Sequence, residues 1–397
     1  MSARFQTAYA GGEITPRLID SPLRLQTVIW NSSGPGSVGY TVTELLDNMP
    51  AVVERRLWLL GGLSWRSYVT PALPPLVFRA LCKAGVAAST QGRIASRAVL
   101  NSICGGDILY IWPPYDKALI QRARDRGAIV VAERINCMAG MGRDVMERAY
   151  ARRGLPLPQG WFEPSDIAEE RAQMLLCDFI FAPNELVAQS VRSAGIAEEK
   201  ILHASYGFSP ERLAYAIEIQ RPARDPVFAF VGAGIVRKGL DVLLESWDRA
   251  EIKGKLLIAG RVGEEIGRVC ASILAREDVQ LLGYVNDITS VYAAADVFVF
   301  PSHEEGGPQV TYEAAACGLP CIVSEMGAGR VVRDGCEGLV IDPCSVEELA
   351  SAMTRLAEDL TFRKELAANA EARAGKFTWA KVSARRYQQL CDAAKSR

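Results

Sequence analysis

Histidine is almost absent from this sequence: His203 and His303 are the only two in 397 residues. A Cys/His zinc site needs several such ligands close together, so none is expected. The ten cysteines contain no CxxC pair and mostly have apolar neighbours. They read as small buried hydrophobes in a reducing compartment, not as a disulfide framework. A DxD pair is missing too, which removes the simplest carboxylate arrangement for holding Mg²⁺ or Mn²⁺ on a diphosphate, and no metal is expected. Net charge is also scarce: 45 Lys and Arg against 46 Asp and Glu leave −1, so nucleic acid is not an expected partner. No apolar run approaches the roughly 18 residues of a spanning helix. The first residues, MSARFQTAYAGGEITPR, have no apolar signal core, and a cytoplasmic protein is expected.

What is present is a folded chain of some size. Apolar residues make up 49% and charged residues 23%, which argues against disorder, and 397 residues suit two domains of roughly 150–200 residues each. Short β-branched runs alternate with helical stretches, the pattern of a parallel sheet covered on both faces. In the first half LQTVIW (25–30), DILYIW (107–112), AIVVAE (128–133) and FIFAP (179–183) read as strands. In the second half VFAFVG (227–232), KLLIAG (255–260), VQLLG (279–283), VFVFP (297–301) and PCIVS (320–324) do the same. Between the halves, Ser209 to Pro226 has proline near both ends and weak periodicity, and reads as a linker. The last stretch, FTWAKVSARRYQQLCDAAK, is an amphipathic helix with Trp379, Val382, Tyr387, Leu390 and Cys391 as candidate buried positions. Ligands of open α/β sheets lie beyond the carboxyl ends of the strands, so two such sheets facing each other would hold one in the cleft between them.

Three glycine-bearing strand ends could meet in that cleft. NSSGPGSVG, with Gly34, Gly36 and Gly39, either presses backbone N–H groups against a phosphate or is a plain strand-to-helix turn. FVGAGIVRKG places Arg237 and Lys238 at the opening of a helix, after Gly232 and Gly234. Two cations at the positive end of a helix are locally unfavourable, so they are either offset by an anion or solvated. PSHEEGGPQVTYEAAACGLP joins a strand to a helix through Gly306 and Gly307, which allow the close backbone approach that a sugar or phosphate needs. Gln309 and Val310 would offer helix-start amides. Glu313 could accept from a vicinal diol such as ribose, and Glu305 could hold the transferred group. The alternative is that both acids merely serve the helix dipole.

Together these residues resemble a known family. Glu305 and Glu313 match its E-x7-E pattern, followed by EAAACGLPCIVS for the commoner EAMACGxPVV. FVGAGIVRKG is similar to FVGRLxxxKG, DFIFAPNELVAQSVRSAGIAEEKILHASYGF to the segment that ends the first domain, and VQLLGYVND to the base-binding turn. The chain thus resembles a retaining glycosyltransferase of the GT-B fold, in glycosyltransferase family 4. The resemblance implies an α/β protein of two Rossmann-like domains facing across a cleft. Residues 1–208 would bind the acceptor, residues 209–375 a nucleotide sugar, and a helix in 376–397 would cross back to the first domain. It further implies Arg237 and Lys238 on the diphosphate, Glu305 at the donor sugar, Glu313 on the ribose, and Val285 near the base. Gly36, Gly232, Gly306, Gly307, Gln309 and Val310 would complete the donor site, with neither metal nor cofactor. The sequence departs from the family at two places: Ala233 stands where an arginine is usual, and the first-domain histidine is replaced by something in VVAERINCMAG, with Glu133, Arg134 and Asn136 as candidates.

Arg55 to Gly106 contains no acid, but seven cations interleaved with Trp58, Trp65, Tyr68, Leu76, Val77 and Phe78. Such a segment either suits an anionic membrane face or lipid-diphosphate acceptor, or is an ordinary domain with solvated cations and core aromatics. The expected activity is sugar transfer to a saccharide or lipid-linked saccharide, as in assembly of a bacterial surface polysaccharide or glycolipid. A sugar phosphorylase or nucleotide-sugar epimerase on the same fold is the alternative. A dinucleotide-binding dehydrogenase fits poorly, because the third glycine of GxGxxG would fall on Arg237. A binding module with a decayed site is disfavoured by the intact Glu305, Glu313 and Lys238.

Overall fold

The structure, a computed structural model, describes residues 23–30, 38–61, 66–219 and 224–396, and the side chains of 88 and 89 are not described. Among the described residues, thirteen strands form two sheets. The first contains β1 (Arg24–Val28), β2 (Glu54–Leu59), β3 (Val69–Pro71), β4 (Ile108–Ile111), β5 (Ile129–Glu133), β6 (Phe179–Ala182) and β7 (Ile201–His203). The second contains β8 (Val227–Val231), β9 (Lys255–Ala259), β10 (Val279–Gly283), β11 (Val297–Phe300), β12 (Cys321–Ser324) and β13 (Gly338–Ile341). The orders are β3-β2-β1-β4-β5-β6-β7 and β10-β9-β8-β11-β12-β13, with every ladder parallel. Both orders reverse beside their first strand, between β1 and β4 and between β8 and β11. That switch point is where an open sheet leaves a crevice. Helices cover both faces, so β8 and β11 are buried along their whole length and read as continuous apolar runs. This is the expected two-domain Rossmann-like GT-B fold.

All nine expected strands are present. Those the sequence hid are β2, β3, β7 and β13, and three of these are sheet edges of three or four residues. β2 is disguised by charge: ERRLWL pairs with β1 while the Arg56 guanidinium lies over the Trp58 ring and that of Arg55 over the Tyr68 ring. Trp58 itself is core, with its indole N–H donating to Gln26 Oε1 at 2.8 Å.

The stretch read as a linker is largely helix. Pro210–Glu218 begins with proline at the first helical position, where its missing N–H costs nothing, and buries Leu213 and Ala216 against the helices Thr289–Ala294 and Gln309–Ala316. Residues 220–223 lie outside the described residues. The last helix, Trp379–Lys395, buries all five expected positions and returns to the first sheet's layer, where Ser383 Oγ donates to the Leu45 carbonyl at 3.0 Å.

Candidate functional site

The carboxyl ends of both sheets open on one cavity of about 670 Å³. From the first half it takes Thr41, Trp112, Asn136 and Tyr206; from the second it takes the residues that follow β8, β9, β10 and β11. After β8 the chain makes a 3-10 turn, Val236–Lys238, and leaves it through Gly239 at φ +70°. A Cβ there would stand 2.1 Å from the Pro301 carbonyl oxygen, so only glycine fits the junction. Arg237 and Lys238 therefore sit in this turn, ahead of the Leu240–Ala250 helix.

Each cation already holds an acid from the β11 loop. Arg237 Nη1 lies 3.2 Å from Glu304 Oε2, and Lys238 Nζ is in contact with Glu305 Oε1. Burial, with the Arg237 charge beside it, pushes the Lys238 ammonium below its ordinary range, opposed in part by the Glu304 carboxylate. Glu304 reaches the first domain as well: its carboxylate accepts from Cys137 N at 2.9 Å and from Asn136 Nδ2 at 2.8 Å. A buried carboxylate thus ties a cavity cation to the opposite domain.

Glu313 projects from the Gln309–Ala316 helix into the same cavity. It accepts from Tyr292 OH at 2.9 Å and lies 3.6 Å from Arg212 Nη1. Burial raises its pKa above the usual carboxylate range, opposed by Arg212 and the tyrosine hydrogen bond.

Of the expected residues, Glu305, Glu313, Arg237, Lys238, Gly232, Val285, Gly307, Gln309 and Val310 all line the cavity. Gly36 lies outside the described residues. The glycine pair also serves the join between the two domains. A Cβ on Gly306 would stand 1.9 Å from the Ile135 carbonyl oxygen, and one on Gly307 would stand 2.4 Å from the Tyr206 ring. Their bareness lets the β11 loop meet the first domain, and Asn184 Nδ2 clamps that junction by donating to the Gly306 carbonyl at 2.5 Å. Gln309 likewise has its side chain engaged across the cleft, donating to Thr41 Oγ1 at 2.7 Å.

Among the candidates for the missing histidine, Glu133 is sealed in an ion pair with Arg386, and Arg134 is buried against Glu170 at 2.7 Å. Asn136 alone of the three lines the cavity. Sequence reasoning missed Glu304, Arg212 and Arg261. Arg261 was within its reach, since it follows the glycine at the end of β9 just as the residues after Gly232 follow β8.

Comparison with known proteins agrees with this geometry. Residues 225–359, which hold Arg237, Lys238, Glu305 and Glu313, match the family described as glycosyl transferases group 1. The N,N'-diacetylbacillosaminyl-diphospho-undecaprenol alpha-1,3-N-acetylgalactosaminyltransferase of Campylobacter jejuni is 28% identical over 229 residues, 54% of this chain and 60% of that protein. The match thus spans about 60% of that relative's length. Among solved structures, sucrose-phosphate synthase from Thermosynechococcus elongatus superposes with a TM-score of 0.73 at 17% identity, covering 94% of this chain and 100% of that one. HepE of Anabaena, solved with UDP and glucose, gives 0.67 at 15% identity, again covering 94% and 100%. The chain has the two-domain GT-B fold of these solved structures, and its residues 225–359 match the family described as glycosyl transferases group 1.

Proposed function

We propose that this protein is a family 4 enzyme that moves a sugar, with retention of anomeric configuration and without a metal, from a nucleotide diphosphate donor to a saccharide or lipid-linked saccharide. The observation that carries this reading is the convergence of two cations and two glutamates, Arg237, Lys238, Glu305 and Glu313, on one cavity between the switch points of two sheets. In this reading the diphosphate takes Arg237 and Lys238 over from Glu304 and Glu305. The bond from the anomeric carbon to the diphosphate then breaks, its electron pair stays on the diphosphate, and the two cations stabilise the charge that develops. The acceptor oxygen forms the new bond, and its proton leaves with the diphosphate. Glu305, freed from Lys238, faces the transferred sugar, and Glu313 accepts from the ribose hydroxyls.

A lipid-linked acceptor is supported by two observations. The Campylobacter jejuni relative is named for a diphospho-undecaprenol substrate. The first domain also presents an exposed apolar and basic face, from Leu76 to Arg97, suited to an anionic leaflet in bacterial surface polysaccharide or glycolipid assembly. The test is turnover of a panel of nucleotide sugars with excess EDTA, followed by assignment of the product anomer. Full activity with retention is expected. Loss of nearly all activity, restored by Mg²⁺ or Mn²⁺, would contradict a site in which two cations neutralise the diphosphate.

A further inference from the structure

Glu304 is 3% exposed, and its carboxylate is held by three donors: Arg237 Nη1 at 3.2 Å, Asn136 Nδ2 at 2.8 Å and Cys137 N at 2.9 Å. A diphosphate that captures Arg237 takes away the one donor of the three that carries a charge. A buried carboxylate stripped of its partners is strongly destabilised, so an anion can take Arg237 only as far as the other two donors still satisfy Glu304. Both of those belong to the first domain.

What aims them lies behind the loop, away from the cavity. Arg134, the residue after β5, is buried and is not part of the cavity lining. Its Nη2 donates to the Cys137 carbonyl at 2.6 Å and its Nε to the Asn136 carbonyl at 3.3 Å. The guanidinium presents its donors in one rigid plane, so a single side chain draws both carbonyls to the same side. In a trans peptide the N–H points opposite to the C=O, so drawing the Asn136 carbonyl toward Arg134 turns the Cys137 N–H the other way, onto Glu304. Arg134 is itself fixed: Nη1 lies 2.7 Å from Glu170 Oε1, and Glu170 Oε2 accepts from Ala139 N at 2.6 Å, at the start of the Ala139–Arg152 helix. An arginine that served stability alone would be indifferent to whether a carboxylate stands at position 304.

We propose that Arg134 is a positioning residue for donor binding: it turns the peptide between Asn136 and Cys137 so that Glu304 keeps two donors when the diphosphate takes Arg237. The inference rests on the nucleotide-sugar reading above. The experiment is calorimetric titration of the whole protein with UDP, GDP and ADP, comparing the parent with Arg134→Lys, with Glu304→Gln and with the two changes combined. Lysine keeps a charge beside Glu170 but lacks the planar fork that spans two carbonyls. Arg134→Lys should weaken the nucleotide that binds the parent best by roughly tenfold. In the Glu304→Gln protein, which has no carboxylate charge to keep, the same change should alter binding by less than about twofold. Should the lysine variant fail to fold, Glu170→Gln, which leaves Arg134 in place and loosens its guanidinium, takes its role in the comparison, with a smaller loss of the same sign expected. Unchanged or tighter binding in the variant used overturns the proposal. An equal loss with and without the Glu304 carboxylate overturns it too, since it would mark a general role in holding the cleft. Failure of the parent to bind any of the three nucleotides removes the nucleotide-sugar reading itself, and this inference with it.

Discussion

His303 and Glu304 are adjacent in the chain and do opposite electrostatic work. Burial, reinforced by the Arg152 charge, lowers the His303 imidazole to about 4, and its Nε2 is buried without a partner. The folded protein holds it neutral, whereas the unfolded chain takes up a proton near 6.5. Between those values the unfolded state binds more protons, so the contribution is complete above pH 6.5 and is lost as the pH falls toward 4. A shift of that size corresponds to on the order of 3 kcal/mol. Urea denaturation at pH 7 and at pH 4.5 should show His303→Asn losing less stability on acidification than the parent, and identical losses would remove His303 as the cause. Glu304 holds Arg237 where a diphosphate would compete for it. Glu304→Gln should tighten binding of the best free nucleotide by up to about fivefold, because a partly exposed pair contributes ~1 kcal/mol or less, while slowing turnover through the loosened contact with Asn136. Weaker nucleotide binding would show that Glu304 orients Arg237 and does not compete for it. Glu305 was legible in the sequence because its spacing from Glu313 is a motif. Its neighbour Glu304 was not, since its importance comes from Asn136 and Cys137, more than 160 positions away.

Elements were legible where burial on both faces left an uninterrupted apolar run. They were hidden where a strand lay at an edge or carried arginines over aromatic rings, as β2 does. The last helix shows the same limit from the other side. Its apolar face was evident, but Arg386 on that helix is buried to 1% exposure. It binds Glu133 at the end of β5 through two contacts of 2.6 and 3.0 Å, with Tyr110 OH and the Ser205 carbonyl completing the set. No periodicity argument finds a pair 253 residues apart. This pair fixes the helix to the first sheet, and its removal from one side strands a buried carboxylate. Arg386→Ala should therefore cost about 3–5 kcal/mol in chemical denaturation, and the double change Arg386→Met with Glu133→Leu should recover most of it. A single-variant cost below about 1 kcal/mol would mean that water reaches Glu133 once the arginine is gone.

For the molecule as a whole, the two halves meet through polar contacts both at the cavity, as Gln309 with Thr41, and outside its lining, as Arg152 and Arg153 with Asp241 and Glu245, while the outer edge of the first sheet is left apolar and basic. Arg66 is not part of that edge, because it is tied to Asp47 at 2.8 Å, and Arg55 and Arg56 lie over aromatic rings. What remains is the helix Pro75–Lys83, which buries none of its residues, beside the start of Ala88–Ser102. Leu76 is 79% exposed, Val77 43% and Ile94 41%, and they are flanked by exposed Arg79, Lys83, Arg93 and Arg97. The first of these helices follows β3, so it lies on the carboxyl side of the sheet, the side on which the cavity opens. An anionic leaflet fits this face: apolar side chains enter the headgroup boundary, and each cation contributes on the order of 1 kcal/mol. Co-sedimentation should therefore show binding to vesicles rich in phosphatidylserine, weak binding to neutral ones, and release as salt shortens the screening length from roughly 10 Å at 0.1 M to about 3 Å at 1 M. Changing Arg79 and Lys83 to Ser should reduce binding at low salt, and changing Leu76 and Val77 to Ser should remove the part that survives high salt. Equal binding to both vesicle types, or no effect of either pair, would make this face an ordinary solvated surface and the acceptor a soluble saccharide.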